Sequence, residues 1–131
     1  MMSAKPNVLF LDDDYLLIKA VELITKDSPF HFYLSGSVNE ARQMMRTRSF
    51  QIIFSDFHMP ECNGVEFLAE AAKLCPSSVR ILVSASLNDK EAKRALKEQH
   101  IFSFLKKPFG RASFNKSLEE AMQAWESGSQ S

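Results

Sequence analysis

The sequence predicts an α/β domain: a doubly wound sheet of five parallel strands, (βα)5, with helices on both faces. Three observations predict it. Five short apolar runs recur along the 131 residues. None has the strict polar alternation of a half-exposed strand, so each reads as a strand covered on both faces. Each run is followed by apolar residues at helical spacing, and strict strand–helix alternation implies a parallel sheet covered on both sides.

The elements follow in order. Val8–Leu11 is the first strand run, and Leu17, Val21 and Ile24 then recur at i, i+4, i+7. Phe30–Leu34 is the second, followed by Val38, Ala41 and Met45; Ile52–Phe54 is the third, followed by Val65, Leu68 and Ala72. Val79–Val83 precedes Ala92 and Leu96, and Ile101–Leu105 precedes Phe114, Leu118, Ala121 and Trp125. Each helical set buries one face against the sheet. Residues 1–126 read as one domain and 127–131 as a polar tail or a cut linker.

Composition narrows the class. With 45% hydrophobic and 24% charged residues, the chain has the balance of a soluble globular protein. No apolar run approaches the ~18 to 20 residues of a membrane span. Met1–Asn7 is polar and lacks a signal-peptide core. A cytoplasmic address with no membrane contact is expected. Cys62 and Cys75 belong to no CxxC or Cys/His cluster and read as reduced thiols. Basic and acidic residues number 16 each, which gives no case for direct nucleic-acid binding. Residues 1–66 hold nine acids and six bases, whereas residues 86–116 hold eight bases and three acids. A solvated helix face is the plain reading of that asymmetry, and a docking surface for an acidic partner is the alternative.

In doubly wound sheets ligands sit at the carboxyl ends of the strands, near the point where strand order reverses. Those ends carry Asp12-Asp13-Asp14, Ser35-Gly36, Asp56 with His58-Met59-Pro60, Ser84-Ala85 and Lys107-Pro108. Crowded carboxylates need a compensating cation. Hard oxygen donors suit Mg2+, which binds through one or two carboxylates plus phosphate oxygens. A lysine and a hydroxyl opposite the metal can hold the other oxygens of a phosphoryl group. Singly, each residue has a plainer reading: Asp14 as a helix cap, Asp56 and Ser84 as turn residues, Lys107 as a solvated charge. Together, at the same end of four strands, they point to phosphoryl transfer.

From Asn7 to about Glu126 the chain resembles the receiver domains of two-component response regulators, the chemotaxis-regulator-like group with a flavodoxin-like fold. The resemblance rests on Val-Leu-Phe-Leu-Asp-Asp-Asp at residues 8–14 and on Asp56-Phe-His-Met-Pro-Glu-Cys-Asn-Gly64. It also rests on the ordered spacing of Asp12, Asp56, Ser84 and Lys107. The resemblance implies that Asp56 accepts a phosphoryl group from the phosphohistidine of a sensor histidine kinase or phosphotransfer protein. It implies Mg2+, with Mn2+ able to substitute, bound by Asp13, Asp56 and the backbone carbonyl of His58, with Asp12 acting through water. Lys107 would pair with Asp56 or its phosphoryl oxygens, and Ser84 would hydrogen-bond a phosphoryl oxygen. Ala85 would leave an open path to the site and contact the phosphoryl group. Phe104 would be the aromatic switch, and the Lys107–Pro108 bond would be cis.

The implied output is a change in the surface of the fourth helix, fifth strand and fifth helix. That surface would control a C-terminal output domain or a separate effector, or form a phosphorylation-dependent homodimer. Such a domain is a phosphoacceptor that catalyses only its own phosphorylation and dephosphorylation. Ser84 stands where many members have Thr, and Phe104 where Tyr is common; His58 and Ser86 occupy variable positions. Haloacid-dehalogenase-type phosphatases share Asp12-x-Asp14 after a strand, but leave Asp56 and Met59-Pro60 unexplained. A receiver-like binding module without phosphorylation would lack an acid or the lysine. Three acids after the first strand would repel the phosphate of a flavin.

Overall fold

The computed structural model describes residues 5–86, 90–98 and 100–128. Its elements are β1 (Asn7–Leu11), α1 (Tyr15–Ile24), β2 (His31–Ser35), α2 (Val38–Thr47) and β3 (Ile52–Asp56). They continue as α3 (Gly64–Leu74), β4 (Val79–Ser84), α4 (Lys90–Lys97), β5 (Ser103–Lys106) and α5 (Arg111–Ser127). All strand pairs are parallel, in the order β2-β1-β3-β4-β5. The predicted class is the observed one. Among the described residues, no helix is long and apolar enough to cross a membrane.

The alternation of side chains divides the core in two. Val8, Phe10, Ile52, Phe54, Val79, Ile81, Val83 and Leu105 meet α1 and α5 on one face. Leu9, Leu11, Ile53 and Leu82 meet α2, α3 and α4 on the other. Burial on both faces holds for the central strands β1, β3 and β4 and explains their near-continuous apolar runs, whereas the edge strands β2 and β5 are only partly buried, because each has a neighbour on one side alone. Helix starts are set by local chemistry. Asp14 caps α1 by accepting from Leu16 and Leu17 N–H at 3.0 and 3.3 Å, and Ser37 caps α2 through Glu40 N–H. Asn63 and Glu66 form a reciprocal capping box at α3.

Several predicted bounds shift. Phe30 lies before β2, where its N–H donates to Ser28 Oγ and closes a turn; the ladder starts at His31. Ile101 and Phe102 precede β5, and Ile101 is buried in the α4-side core instead of continuing the strand. On α4 the buried step is Ala92 to Ala95, and Leu96 is 39% exposed. On α3 the buried residue is Ala71, with Ala72 half-buried. Helix α5 continues through Ser127 and ends at Gly128, whose φ of 72° is the left-handed C-cap that glycine adopts without a Cβ clash. Of the N-terminal segment read as polar, Met1–Ala4 lie outside the described residues, as do residues 129–131 of the tail.

Candidate functional site

The order of strands reverses at β1, which pairs with β2 on one side and β3 on the other. Leu11 is level with both Ser35 and Ser55, so Asp12 and Asp56 emerge side by side at the carboxyl edge. This is the crevice where doubly wound sheets bind ligands.

Asp12 is 0% exposed. Its N–H donates to Ser35 O at 3.0 Å and its Oδ1 accepts from Asp14 N–H at 2.8 Å. Its Oδ2 meets Lys107 Nζ at 2.8 Å, an ion pair angled so that the buried oxygen keeps no aligned hydrogen bond. Asp56 is 6% exposed and holds the same ammonium through Oδ1, also at 2.8 Å. Asp13 is exposed at the rim. One carboxylate oxygen each from Asp12, Asp13 and Asp56 lies within 4.8 Å of the others. An all-oxygen set with a buried, unaligned lone pair and a single ammonium for three acids fits a hard divalent cation. Asp14 stands apart from this set, because its carboxylate caps α1.

Lys107 reaches Asp56 from two strands away and Asp12 from three. Its N–H donates to Ser84 O at 2.9 Å, which seats the residue beside the end of β4, and its peptide bond to Pro108 is cis. A long side chain then passes over the end of β4 to β3 and β1. The charges perturb one another. Burial raises the Asp56 pKa above its ordinary value; the Lys107 hydrogen bond opposes this, and the Asp12 and Asp13 charges add to the rise. Burial works against the Lys107 charge, yet its contacts with Asp12 and Asp56 outweigh burial and raise its pKa.

The loop after Asp56 is tightly drawn. Phe57 N–H donates to Val83 O at 2.9 Å and Gly64 N–H to Phe57 O at 2.7 Å. A Cβ on Gly64 would collide with the Asp56 carbonyl oxygen and with Leu82 Cδ1, so only glycine lets α3 start this close to the acid. His58 is exposed, its ring edge-on to Phe57 at 4.7 Å between centroids.

Ser84 is buried and faces its own turn: Oγ donates to Ser86 O at 2.8 Å and accepts from Ser86 N–H at 3.2 Å. Ala85 is exposed. Phe104 is level with Leu82 on β4 and lies half-buried against the α4-side core. Cys62 and Cys75 are free, and burial raises both thiol pKa values, which makes them poor nucleophiles. Ser35 ends β2 with nothing chemically distinctive in its sequence surroundings. Its carbonyl holds the Asp12 backbone, and its hydroxyl donates to Glu40 Oε1 at 2.7 Å. Only strand order could have revealed that role.

The chain resembles known proteins along nearly its whole length. It is 28% identical over 123 residues to the transcriptional regulatory protein GlrR of Escherichia coli, a match covering 93% of this chain but 28% of that protein. The chain thus spans little more than a quarter of that relative's length. Its fold superposes on the signal receiver domain of an HD domain-containing protein from Pseudomonas fluorescens with a TM-score of 0.88. That match has 22% identity and covers 97% and 93% of the two chains. The beryllofluoride-activated NtrC4 receiver domain dimer gives a TM-score of 0.82 at 25% identity, covering 91% and 98%. The family model for the response regulator receiver domain matches residues 8–119, from the first strand into the last helix. The paired acids, the central Asp56 and the crossing lysine therefore sit in a receiver domain: this chain belongs to the response regulator receiver family of two-component signalling.

Proposed function

We propose that Asp56 is the phosphoacceptor of this receiver domain, taking a phosphoryl group from a phosphohistidine of a histidine kinase or phosphotransfer protein. The observation that carries this reading is the shared ammonium of Lys107, 2.8 Å from Asp12 and from Asp56 within a three-carboxylate cluster. Asp13, Asp56 and the His58 carbonyl would hold Mg2+ directly and Asp12 through water. The cation supplies charge neutralisation for the transferring phosphoryl oxygens.

The protein's own groups do the rest. A carboxylate oxygen of Asp56 attacks phosphorus; the O–P bond forms as the N–P bond of the phosphohistidine breaks, and the imidazole leaves. Lys107, already against Oδ1, meets the new phosphoryl oxygens as charge accumulates. Exposed Ala85 leaves the approach open. The acyl phosphate carries close to two negative charges and needs new donors. Ser84 can supply one by turning its hydroxyl away from Ser86 O. Phe104 then has room to move inward, which reshapes the α4–β5–α5 surface. The domain catalyses its own phosphorylation and dephosphorylation and acts in the cytoplasm. Its altered surface controls an output domain or effector, in line with the longer transcriptional regulators it resembles, or a homodimer.

Intact-protein mass after incubation with acetyl phosphate, with and without Mg2+, tests the assignment on wild type and Asp56→Asn. One phosphoryl adduct that requires metal and is absent from the variant is expected. Wild-type uptake by Asp56→Asn would overturn it.

A further inference from the structure

Arg80 is a charge inside the fourth apolar run, and it sits at the end of β4 away from the acids. It is 7% exposed. No carboxylate lies within ion-pair distance of it among the described residues. Its guanidinium addresses neutral oxygens of two separate segments. Nε donates to His100 O at 2.9 Å, in the connection between α4 and β5. Nη1 donates to Ser78 O at 2.8 Å and Ser78 Oγ at 3.0 Å. The Ser78 hydroxyl in turn donates to Cys75 O at 2.7 Å, at the C-cap of α3. Burial lowers the guanidinium pKa below its ordinary value, so the position carries a cost that an apolar side chain would avoid.

The backbone adds to the same attachment. Phe102 N–H donates to Arg80 O at 2.7 Å and His100 N–H to Ala95 O at 2.9 Å. Besides the β4–β5 ladder, two side-chain attachments bear on this segment among the described residues. One is the Ser84–Ser86 turn beside the acids. The other is Arg80, four residues back along β4, roughly 13 Å away by strand rise. Only the first is within reach of a group bound to Asp56.

We propose that Arg80 is a positioning residue that pins the α4–β5 connection as a fixed pivot, so that movement begun at Ser84 swings α4 and β5 instead of loosening them. The planar fork explains why arginine stands here: it engages carbonyls of two segments at fixed geometry, which neither lysine nor methionine can do. The inference rests on the reading of the α4–β5 surface as the part that responds to Asp56.

Amide hydrogen exchange and NMR spectra, with and without Mg2+ and beryllofluoride, on wild type, Arg80→Met and Arg80→Lys test it. In Arg80→Met, exchange at Ile101 and Phe104 should quicken tenfold or more while Leu9 and Ile53 stay within twofold. Beryllofluoride should still shift Asp13 and Phe57 at a half-saturating concentration within twofold of wild type. The accompanying shift at Phe104 should fall by at least half, and Arg80→Lys should lie between. Equal quickening across the whole sheet would mean a merely structural residue and would overturn the proposal. So would wild-type behaviour at Ile101 and Phe104 in either variant. If Arg80→Met does not fold, Arg80→Lys decides by the same criteria. A wild type whose Asp13 and Phe57 ignore beryllofluoride would instead count against Asp56 as acceptor, and the exchange comparison would still decide whether Arg80 pins the connection.

Discussion

On the α1/α5 side of the sheet, phenylalanine rings join into one network, while on the α2/α3/α4 side the described rings meet only in separate pairs. Phe114 stacks on Phe54 at 5.3 Å and touches Phe10, Phe32 and Phe109 as well; Phe10 meets Phe54 at 5.5 Å. Across the sheet, the ring pairs among the described residues are Tyr33–Phe50 and Phe57–His58, and Phe104 joins neither. Interlocked rings are fixed by several partners at once, so none moves alone. A ring bordered by small and flexible side chains can. The difference leaves Phe104, the ring proposed to move, on the side with looser aromatic packing.

The comparison can be broken most severely at Phe114. Phe114→Ala should cost about 3–5 kcal/mol in denaturant unfolding, because the cavity it leaves opens onto four other rings. Phe104→Ala should cost roughly 1–2 kcal/mol, since the ring is already half-buried. A Phe104 penalty equal to that of Phe114 would remove the contrast. Gly64→Ala should destabilise by about 1–3 kcal/mol and slow phosphoryl uptake, as the added methyl must displace Asp56 or α3. Cleavage of the Arg42–Glu70 surface pair by Glu70→Ala should change stability by under ~1 kcal/mol.

The acidic edge answers to pH in a definite direction. The folded-state pKa of Asp56 is raised, so the native protein binds more protons than the unfolded chain between the two values. Metal-free stability should therefore fall as pH rises from the unfolded aspartate value, 3.8, through the raised folded one. Asp56→Asn should be more stable than wild type at neutral pH without metal, and that advantage should vanish in acid. Thermal melts across pH in a chelating buffer check this, and added Mg2+ should reverse the order at neutral pH.

Much of this was legible in the sequence because the two signals involved are local. A strand buried on both faces is apolar along most of its length, which marks Val8–Leu11 and, despite Arg80, Val79–Val83 without any partner information. A residue that ends such a strand is necessarily at the carboxyl edge, which marks Asp12, Asp56, Ser84 and Lys107. What stayed hidden depends on relations between segments. That Lys107 serves Asp12 as well as Asp56 follows from β1 lying next to β3. Whether Ala95 or Leu96 faces inward follows from how α4 lies on the sheet, since both suit a helical apolar stripe. The resting hydrogen bond of Ser84 to Ser86 is a property of the turn. Arg80 is hidden inside an otherwise apolar run, because nothing adjacent in sequence announces the carbonyl of His100.

The alanine seat of α4 has a mechanical consequence. Large side chains act as pegs, and a helix held by pegs must lift before it can travel. The buried residues described for α4 are Ala92 and Ala95, whose methyl groups present a nearly smooth bearing to the core that also holds Ile101 and Phe104. A smooth bearing makes neighbouring positions of the helix close in energy, and a gap of about 1.4 kcal/mol still leaves the second position populated near one part in ten. Replacing either alanine with leucine would put a peg back and hold the helix in a single position.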